Sequence, residues 1–298
     1  MAQYENAQVS ALGLTAKQYS ASSELFSTDL TALPTEAVLA TSTIWPEINR
    51  LYGHPYEIYS IAVSPCGNIL ATACKSTSVE YAGIRLYVRS EGCDNWKQIS
   101  ASPLLGHSLT ITQMAFSADS RYLLSLSRDR SWMIHDVCSQ NHEIIPKLVA
   151  CRKNAHARII WSGCFLSSCG GSLLIATASR DKSVKVWEIA TEQTTTSSEA
   201  SVSLLASYSS PTSVPMSICS ISSSHMVAGY EDGSINILSV KEKSCIRSIS
   251  MELWGGGHSG PITALACWST AEGLLVASGS EDTTVRIHRL VHFTCDDI

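Results

Sequence analysis

The chain predicts an all-β fold built from one repeated antiparallel unit, and three observations predict it. Residues 106–136 hold three short apolar runs, ITQMAFS, YLLSLS and SWMIHD, separated by the polar turns around Ser117 to Ser120 and Arg128 to Arg130. Runs of five to seven residues, rich in β-branched and aromatic side chains and bounded by turn residues, are strands and too short for helices. The unit then recurs: ASRDKSVKVWE at 178–188 and GSEDTTVRIHR at 279–289 copy LSRDRSWMIHD, and GYEDGSINILS at 229–239 is a weaker copy. The matched acids Asp129, Asp181, Asp232 and Asp282 follow one another at 52, 51 and 50 residues. Finally, a histidine sits upstream of three of them at a similar offset: His107 after Gly106, His156 after Ala155 and His258 after Gly257.

Self-similarity at this period, with a Gly-His opening and a Ser-x-Asp turn before an apolar strand ending in Trp, resembles the WD40 repeat of β-propellers. Each repeat is then a blade. The resemblance implies that the Asp lies between the second and third strands and accepts a hydrogen bond from the His, whose ring is steadied by a Ser or Thr and then a Trp. Repeat three has all four members, His156, Ser179, Asp181 and Trp187. Repeats two and five keep His107 with Ser127 and Asp129, and His258 with Ser280 and Asp282, while His135 and His288 stand where Trp belongs. Five blades are recognisable, as in an incomplete seven-bladed propeller.

Length and composition set the bounds in which this reading has to fit. The 298 residues have room for one large all-β domain or two small ones, and 45% hydrophobic residues suffice for a core. Charged residues make up 16%, against about 25% in ordinary domains, as blades packed face to face require. A net charge of -5 and pI near 6.0 argue against a surface that attracts phosphate everywhere, leaving room for a local basic patch. No apolar run approaches the roughly 18 residues of a membrane span, and no basic-then-apolar segment opens the chain. A soluble intracellular protein without membrane contact is expected, in the cytoplasm with the nucleus as a second compartment. The eleven cysteines, among them Cys66, Cys74, Cys164, Cys219 and Cys267, then read as reduced, small apolar residues. Cys164 and Cys169 have no matching second pair, so no metal and no other cofactor is expected.

Taken in order, residues 1–46 are expected to be a poorly structured linker, with VSALGL at 9–14 as a candidate strand and Trp45 and Pro46 marking the approach to ordered structure. Blades fill 47–298, with repeats near 53–90, 106–138, 155–190, 205–241 and 257–290. Repeat one opens on Leu51, Tyr52, Gly53 and His54, and replaces the turn Asp by the longer hairpin KSTSVEYAG, either a tolerated insertion or a binding loop that presents Lys75 and Glu80. TEQTTTSSEAS at 191–201 is a solvated connection. Repeat four lacks the Gly-His opening. The glycines of WGGGHSGP at 254–261 feed a strand and are followed by no Lys-Ser/Thr, so they let the chain cross between blades and do not cradle a phosphate.

Several strings exceed what a propeller demands. TIWPEINRLYGHPYEIY at 43–59, HSLTITQMAFS at 107–117, SRDRSW at 127–132, HARIIW at 156–161 and GSEDTTVRIHR at 279–289 occur in the order of, and are similar to, the C-terminal half of the Elongator complex subunit 2 family. Trp45, Pro46, Glu57, Arg158 and Trp161 belong to the likeness without belonging to the repeat. VSALGLTAK at 9–17 and LPTEAVL at 33–39 extend it, and 191–256 matches least. The resemblance implies a two-propeller scaffold that joins the largest Elongator subunit to its radical-SAM acetyltransferase subunit, in a complex that modifies the wobble uridine of tRNA. With only five blades here, the first propeller and the start of the second are expected to be missing.

The expected function is a non-catalytic scaffold subunit, the alternative being a generic WD40 adaptor unrelated to tRNA. No nucleophile, base and oxyanion set recurs at catalytic spacing. Arg128, Arg130, Arg180 and Lys182 flank the turn acids, as a solvated rim or as a surface that approaches RNA; direct tRNA contact is secondary, because stacking aromatics are not evident beside them. EINRLY at 47–52 is placed to close the ring against 283–290, but the parent curvature of a seven-bladed propeller favours an open arc.

Overall fold

The computed structural model describes residues 49–90, 95–140, 143–167, 171–191, 200–249, 257–270 and 273–290. The expectations for 1–46, for most of 191–201 and for 254–256 lie outside the described residues. The chain divides into Met1–Leu51 and Tyr52–Ile298, and the blades belong to the second unit.

Blade one comprises β1 (Ile58–Val63), β2 (Ile69–Cys74), β3 (Arg85–Arg89) and β4 (Trp96–Gln98). Blade two has β5 (Ile111–Phe116), β6 (Tyr122–Ser127) and β7 (Trp132–Asp136); after the small hairpin β8 (Ser139–Gln140) and β9 (Glu143–Ile144), β10 (Lys147–Arg152) joins it on the outside. Blade three holds β11 (Ile160–Ser167), β12 (Ser172–Ser179), β13 (Ser183–Ala190) and β14 (Ser201–Ser209). Blade four holds β15 (Pro215–Ser220), β16 (His225–Tyr230), β17 (Ile235–Ser239) and β18 (Ser244–Ile249), and blade five β19 (Ile262–Thr270), β20 (Gly273–Ser280) and β21 (Val285–Leu290). Every pairing is antiparallel between neighbours in the sheet. The outer strands fall beyond the repeat limits read from sequence: 96–98 lies past 90, 147–152 past 138, and 205–209 ends blade three instead of opening blade four.

Strand alternation explains how the blades stack. In β6, Leu123 points toward blade one and packs with Ile69, Leu86, Ile111 and Met114, whereas Tyr122, Leu124 and Leu126 point toward blade three and meet Ile160, Ile175 and Trp187. The same division gives a core between blades three and four, centred on Val184, Val186, Met226 and Leu238, and one between blades four and five, built from Val227, Ile235, Ile262 and Val276. All five first strands also carry a bulge at the same place, after Ile58, Ile111, Ile160, Pro215 and Ile262. At that bulge the side chains reach the next blade: Thr112 Oγ1 donates to the Ile160 carbonyl at 2.7 Å, the Gly163 N–H donates to Gln113 Oε1 at 2.9 Å, and the Ile218 N–H donates to Ser162 Oγ at 3.0 Å.

Four such cores join five blades, and none of the four joins blade five to blade one. Ile58 and Ile61 are 51% and 63% exposed where their counterparts Ile111 and Met114 are 1% and 4%. At the other end, Val285 and Ile287 are 74% and 63% exposed. Residues 49–52 form no strand; the Tyr52 carbonyl instead accepts from Tyr87 Oη of blade one at 3.2 Å. The described residues therefore form an open arc. Among them no helix is long and apolar enough to cross a membrane.

Each of these uncovered side chains forgoes about 1.5–3 kcal/mol of burial. The purified chain is therefore expected to self-associate in a concentration-dependent manner in sedimentation experiments. Ile61→Glu combined with Ile287→Glu should shift it toward monomer, and a wild-type chain that stays monomeric at all concentrations rejects the open apolar faces.

Candidate functional site

The repeated turn gathers His, Asp and hydroxyl side chains at the same place in three of the blades. At its fourth position the backbone is left-handed: Arg130, Lys182 and Thr283 have φ of 69°, 67° and 68°, and Gly233 has 81°. This geometry lets the turn carbonyl meet the following blade. Arg130 O accepts from Ala155 N at 2.9 Å, Lys182 O from Ser210 N at 2.9 Å, and Gly233 O from His258 N at 3.0 Å. At Gly233 the approach is so close that a Cβ would lie 2.0 Å from the His258 carbonyl oxygen, which accounts for glycine there.

Each turn acid uses both oxygens. In blade three, Asp181 Oδ1 accepts from the Ser183 N–H at 3.1 Å and hydroxyl at 2.5 Å, while Oδ2 accepts from His156 Nδ1 at 3.0 Å and the Ala157 N–H at 2.9 Å. Asp129 holds Ser131, His107 and Ser108 in the same way, and Asp282 holds Thr284, His258 and Ser259. Because an ionised carboxylate only accepts, the His proton sits on Nδ1, and Nε2 turns to a hydroxyl deeper in the blade. In blade three that hydroxyl is Thr177 Oγ1, 2.8 Å from His156 Nε2 and 3.0 Å from the donating Trp187 Nε1. Thr177 thus accepts from Trp187 and lies within hydrogen-bond reach of the His156 ring.

Here the structure corrects the sequence reading. Ser127, Ser179 and Ser280 do not steady the histidines; that role falls to Ser125, Thr177 and Ser278, two residues earlier, at 2.9, 2.8 and 2.8 Å. Strand alternation puts both hydroxyls on one face, and the ring reaches the deeper one. Ser127, Ser179 and Ser280 accept from the N–H of the turn acid and donate to carbonyls of the preceding segment, such as Ile159 O at 2.9 Å and Gly260 O at 2.9 Å. The hydroxyl two residues after each acid, Ser131, Ser183, Ser234 or Thr284, was also overlooked, although its recurrence is plain in the sequence. Where Trp is replaced, the fourth link fails: His135 Nδ1 and His288 Nε2 are buried with no hydrogen-bond partner among the described residues. Blade one keeps half of the set, with His54 Nε2 2.7 Å from Thr72 Oγ1 and no acid. Blade four keeps the other half, Asp232 with Ser234 and no His.

The residues named as a possible interface spread over the loops around these turns. Arg128, Arg130, Arg180 and Lys182 are exposed, and Lys182 Nζ donates to Pro211 O at 3.1 Å. Lys75 is paired with Glu57 at 2.8 Å, and Glu80 sits in the exposed 3-10 turn Val79–Tyr81. That turn carries an aromatic pair the sequence reading missed, Tyr56 edge-on to Tyr81 at 5.4 Å. His107, His156 and His258 stay with their own blades, and no group of metal-binding side chains is found among the described residues.

Electrostatically the turns are built around charge held low in the pH range. Burial opposes ionisation of Asp129 and Asp181, but hydrogen bonds from His107 and Ser131, and from His156 and Ser183, outweigh it and hold both carboxyls well below the usual range. For Asp282 the Thr284 hydroxyl contributes most. His135 is pushed down to about 4, by burial first and then by His107, and His54 to about 4 by burial and Arg85.

Two measurements test this network. Asp181→Ala should cost about 1–3 kcal/mol in denaturant unfolding, because it removes the carboxylate acceptor from buried His156 Nδ1 and leaves it only the Ser183 hydroxyl at 3.2 Å, whereas Asp232→Ala, which deprives no histidine, should cost less. Equal losses reject the shared network. The second concerns pH. Histidines with lowered folded pKa contribute stability above about 6.5 that is lost as pH falls toward 4, and the acids add a further loss below about 4. Thermal stability should therefore fall in two stages on acidification, and His135→Phe should remove roughly 2–3 kcal/mol of the first.

Comparison with known proteins agrees with this architecture. The family model for the WD domain, G-beta repeat, matches residues 45–80, 98–136, 149–188 and 243–289. Elongator complex protein 2 of Homo sapiens is 35% identical over 295 residues, covering 88% of this chain and 34% of that protein. The Schizosaccharomyces pombe protein of the same name is 42% identical over 156 residues, covering 52% of this chain and 19% of its own length. The chain thus spans about a third or less of these relatives. Among solved structures, the β-propeller domain of Myceliophteria thermophila Cps50 (Swd1) superposes with a TM-score of 0.59 at 17% identity, covering 84% of this chain and 70% of that one. Saccharomyces cerevisiae Sqt1 superposes with 0.60 at 14%, covering 78% and 60%. At such identities the structures speak for the fold alone. The chain belongs to the WD40-repeat family, and over most of its length it is similar to Elongator complex protein 2.

Proposed function

We propose that the chain acts as a non-catalytic scaffold of the Elongator complex, supporting tRNA wobble-uridine modification by positioning the catalytic subunit. The observation that carries this reading is the 35% identity sustained over 295 residues with Elongator complex protein 2. Glu57, one of the residues on which the family resemblance rests, lies outside the blade network and pairs with Lys75 at the surface. The structure supports a scaffold role in a second way. Asp129, Asp181 and Asp282 and their histidines are the groups best suited to acid–base chemistry, and their hydrogen-bonding capacity is consumed inside the blades.

The partners on this reading are the largest Elongator subunit and the radical-SAM acetyltransferase subunit, and the site of action is the cytoplasm, with the nucleus second. Direct tRNA contact is a subsidiary part of the proposal. Exposed Arg128, Arg130 and Arg180 stand on like turns of neighbouring blades, where phosphate can be met without disturbing the buried acids.

Affinity capture of the chain with quantitative identification of partners tests the proposal. Stoichiometric recovery of both named subunits is expected. Their absence, with other proteins recovered instead, would make the chain a WD40 adaptor unrelated to tRNA. The purified chain alone should turn over no acetyl-CoA and retain neither an iron–sulfur cluster nor a nucleotide; stoichiometric iron or measurable turnover contradicts the scaffold role.

A further inference from the structure

Strands β15 and β19 open neighbouring blades, and they bring Cys219 and Cys267 together with their Sγ atoms 2.7 Å apart. That is well inside ordinary sulfur contact and longer than the roughly 2.05 Å of a disulfide. Both side chains are part-buried and lie against the core of Val227, Ile235, Ile262, Leu274 and Val276. Each is fixed in a ladder, Cys219 opposite Val227 and Cys267 opposite Val276, so the contact is set by two sheets and not by a loose loop. The propeller pattern does not call for a thiol here, since Ala115 occupies the place of Cys219 in blade two.

We propose that Cys219 and Cys267 are a redox-active pair that forms a reversible disulfide, clasping blade five to blade four by exchange with a small-molecule disulfide such as oxidised glutathione. Its hydrogen bond to Cys267, and then burial, push the Cys219 thiol up, with Cys267 as the first nucleophile of the exchange. The Cys267 thiolate attacks one glutathione sulfur, the glutathione disulfide breaks, and one glutathione leaves as thiolate. Cys219 then gives its proton to solvent and attacks Cys267 Sγ, expelling the second glutathione. Two protein thiols are oxidised and one glutathione disulfide is reduced to two thiols. Cys164, on the first strand of blade three, is pushed up to about 12 by burial and takes no part.

The consequence is mechanical. Among the described residues blade five has a core on one side only, the one it shares with blade four, so the bond reinforces the contact that holds it. The new bond ties residues 48 apart in sequence and so removes chain entropy from the state in which blade five has detached. In a reducing compartment the bond is transient and reports the local thiol–disulfide poise.

The full chain, reduced and then incubated with oxidised glutathione, is digested without reduction and its linked peptides are mapped, while Tm is followed by calorimetry. A Cys219–Cys267 peptide is expected, with Tm higher by about 5 °C or more and restored by a dithiol reductant. Cys267→Ser should abolish the linked peptide and the Tm rise together, and the wild-type peptide map decides the matter if that variant does not fold. Glutathione lodged on Cys267 without closure, a link from either residue to Cys164, or closure that leaves Tm unchanged overturns the proposal. The exposed Cys66, Cys138, Cys151 and Cys245 serve as internal controls that take up glutathione without forming this link.

Discussion

A four-stranded sheet with apolar residues on both faces cannot satisfy itself, and everything in this structure follows from that constraint. β6 shows it in one strand, since Leu123 and Leu124 are both fully buried and yet belong to different cores. A blade therefore needs two neighbours, and the arc supplies both only to blades two, three and four. The shared bulge in the first strands serves the same end. By leaving Thr112 out of the ladder and setting Gln113 and Ser162 directly after the irregularity, it directs side-chain hydrogen bonds to the adjoining blade, where packing alone would permit sliding.

The polar turns add direction to this packing. Apolar contact tolerates small rotations, but an Asp that accepts from its own turn with one oxygen and from the blade's opening with the other does not. The carbonyl of the left-handed residue then reaches the succeeding blade, so one turn ties together strand, opening and neighbour. The incomplete versions are informative. Blade four lacks the histidine and relies on Gly233, whose missing Cβ admits the His258 backbone directly. Blade two keeps His107 and Asp129 but leaves Trp132 Nε1 and His135 Nδ1 without partners among the described residues, so its gain in order comes with two buried polar atoms unmet there.

What could be read from sequence divides along physical lines. The inner three strands of each blade were legible because burial on both faces writes them as continuous apolar runs, as in YLLSLS and LLIATAS. Outer strands such as KLVACR and SVSLLASYS are half exposed, carry a weaker pattern and lie across a connection from their sheet, so 205–209 reads as the start of blade four although it pairs with β13 of blade three. The acids and histidines were legible because a fixed offset betrays them. The hydroxyl partner was not: Ser125 and Ser127 are equally spaced from the eye, and only the depth reached by the His107 ring distinguishes them. The Cys219–Cys267 contact joins residues of different blades with no shared motif, and only the folded register brings it into view.

The distribution of chemistry also limits where a partner can act. The Asp–His groups of the turns have their hydrogen bonds committed inside the blades, and exchanging those bonds for contacts with a partner would unmake the blade that presents them. Surface recognition must then use what the fold leaves over: the exposed arginines beside the turns, the Tyr56–Tyr81 pair, and the apolar faces at the two ends of the arc. These differ in kind. The arginines attract charge at a distance and are screened by salt, whereas the end faces gain only on contact and gain most from another sheet of the same curvature. On the scaffold reading, the faces at the ends of the arc therefore account for permanent assembly and the basic turns for whatever comes and goes.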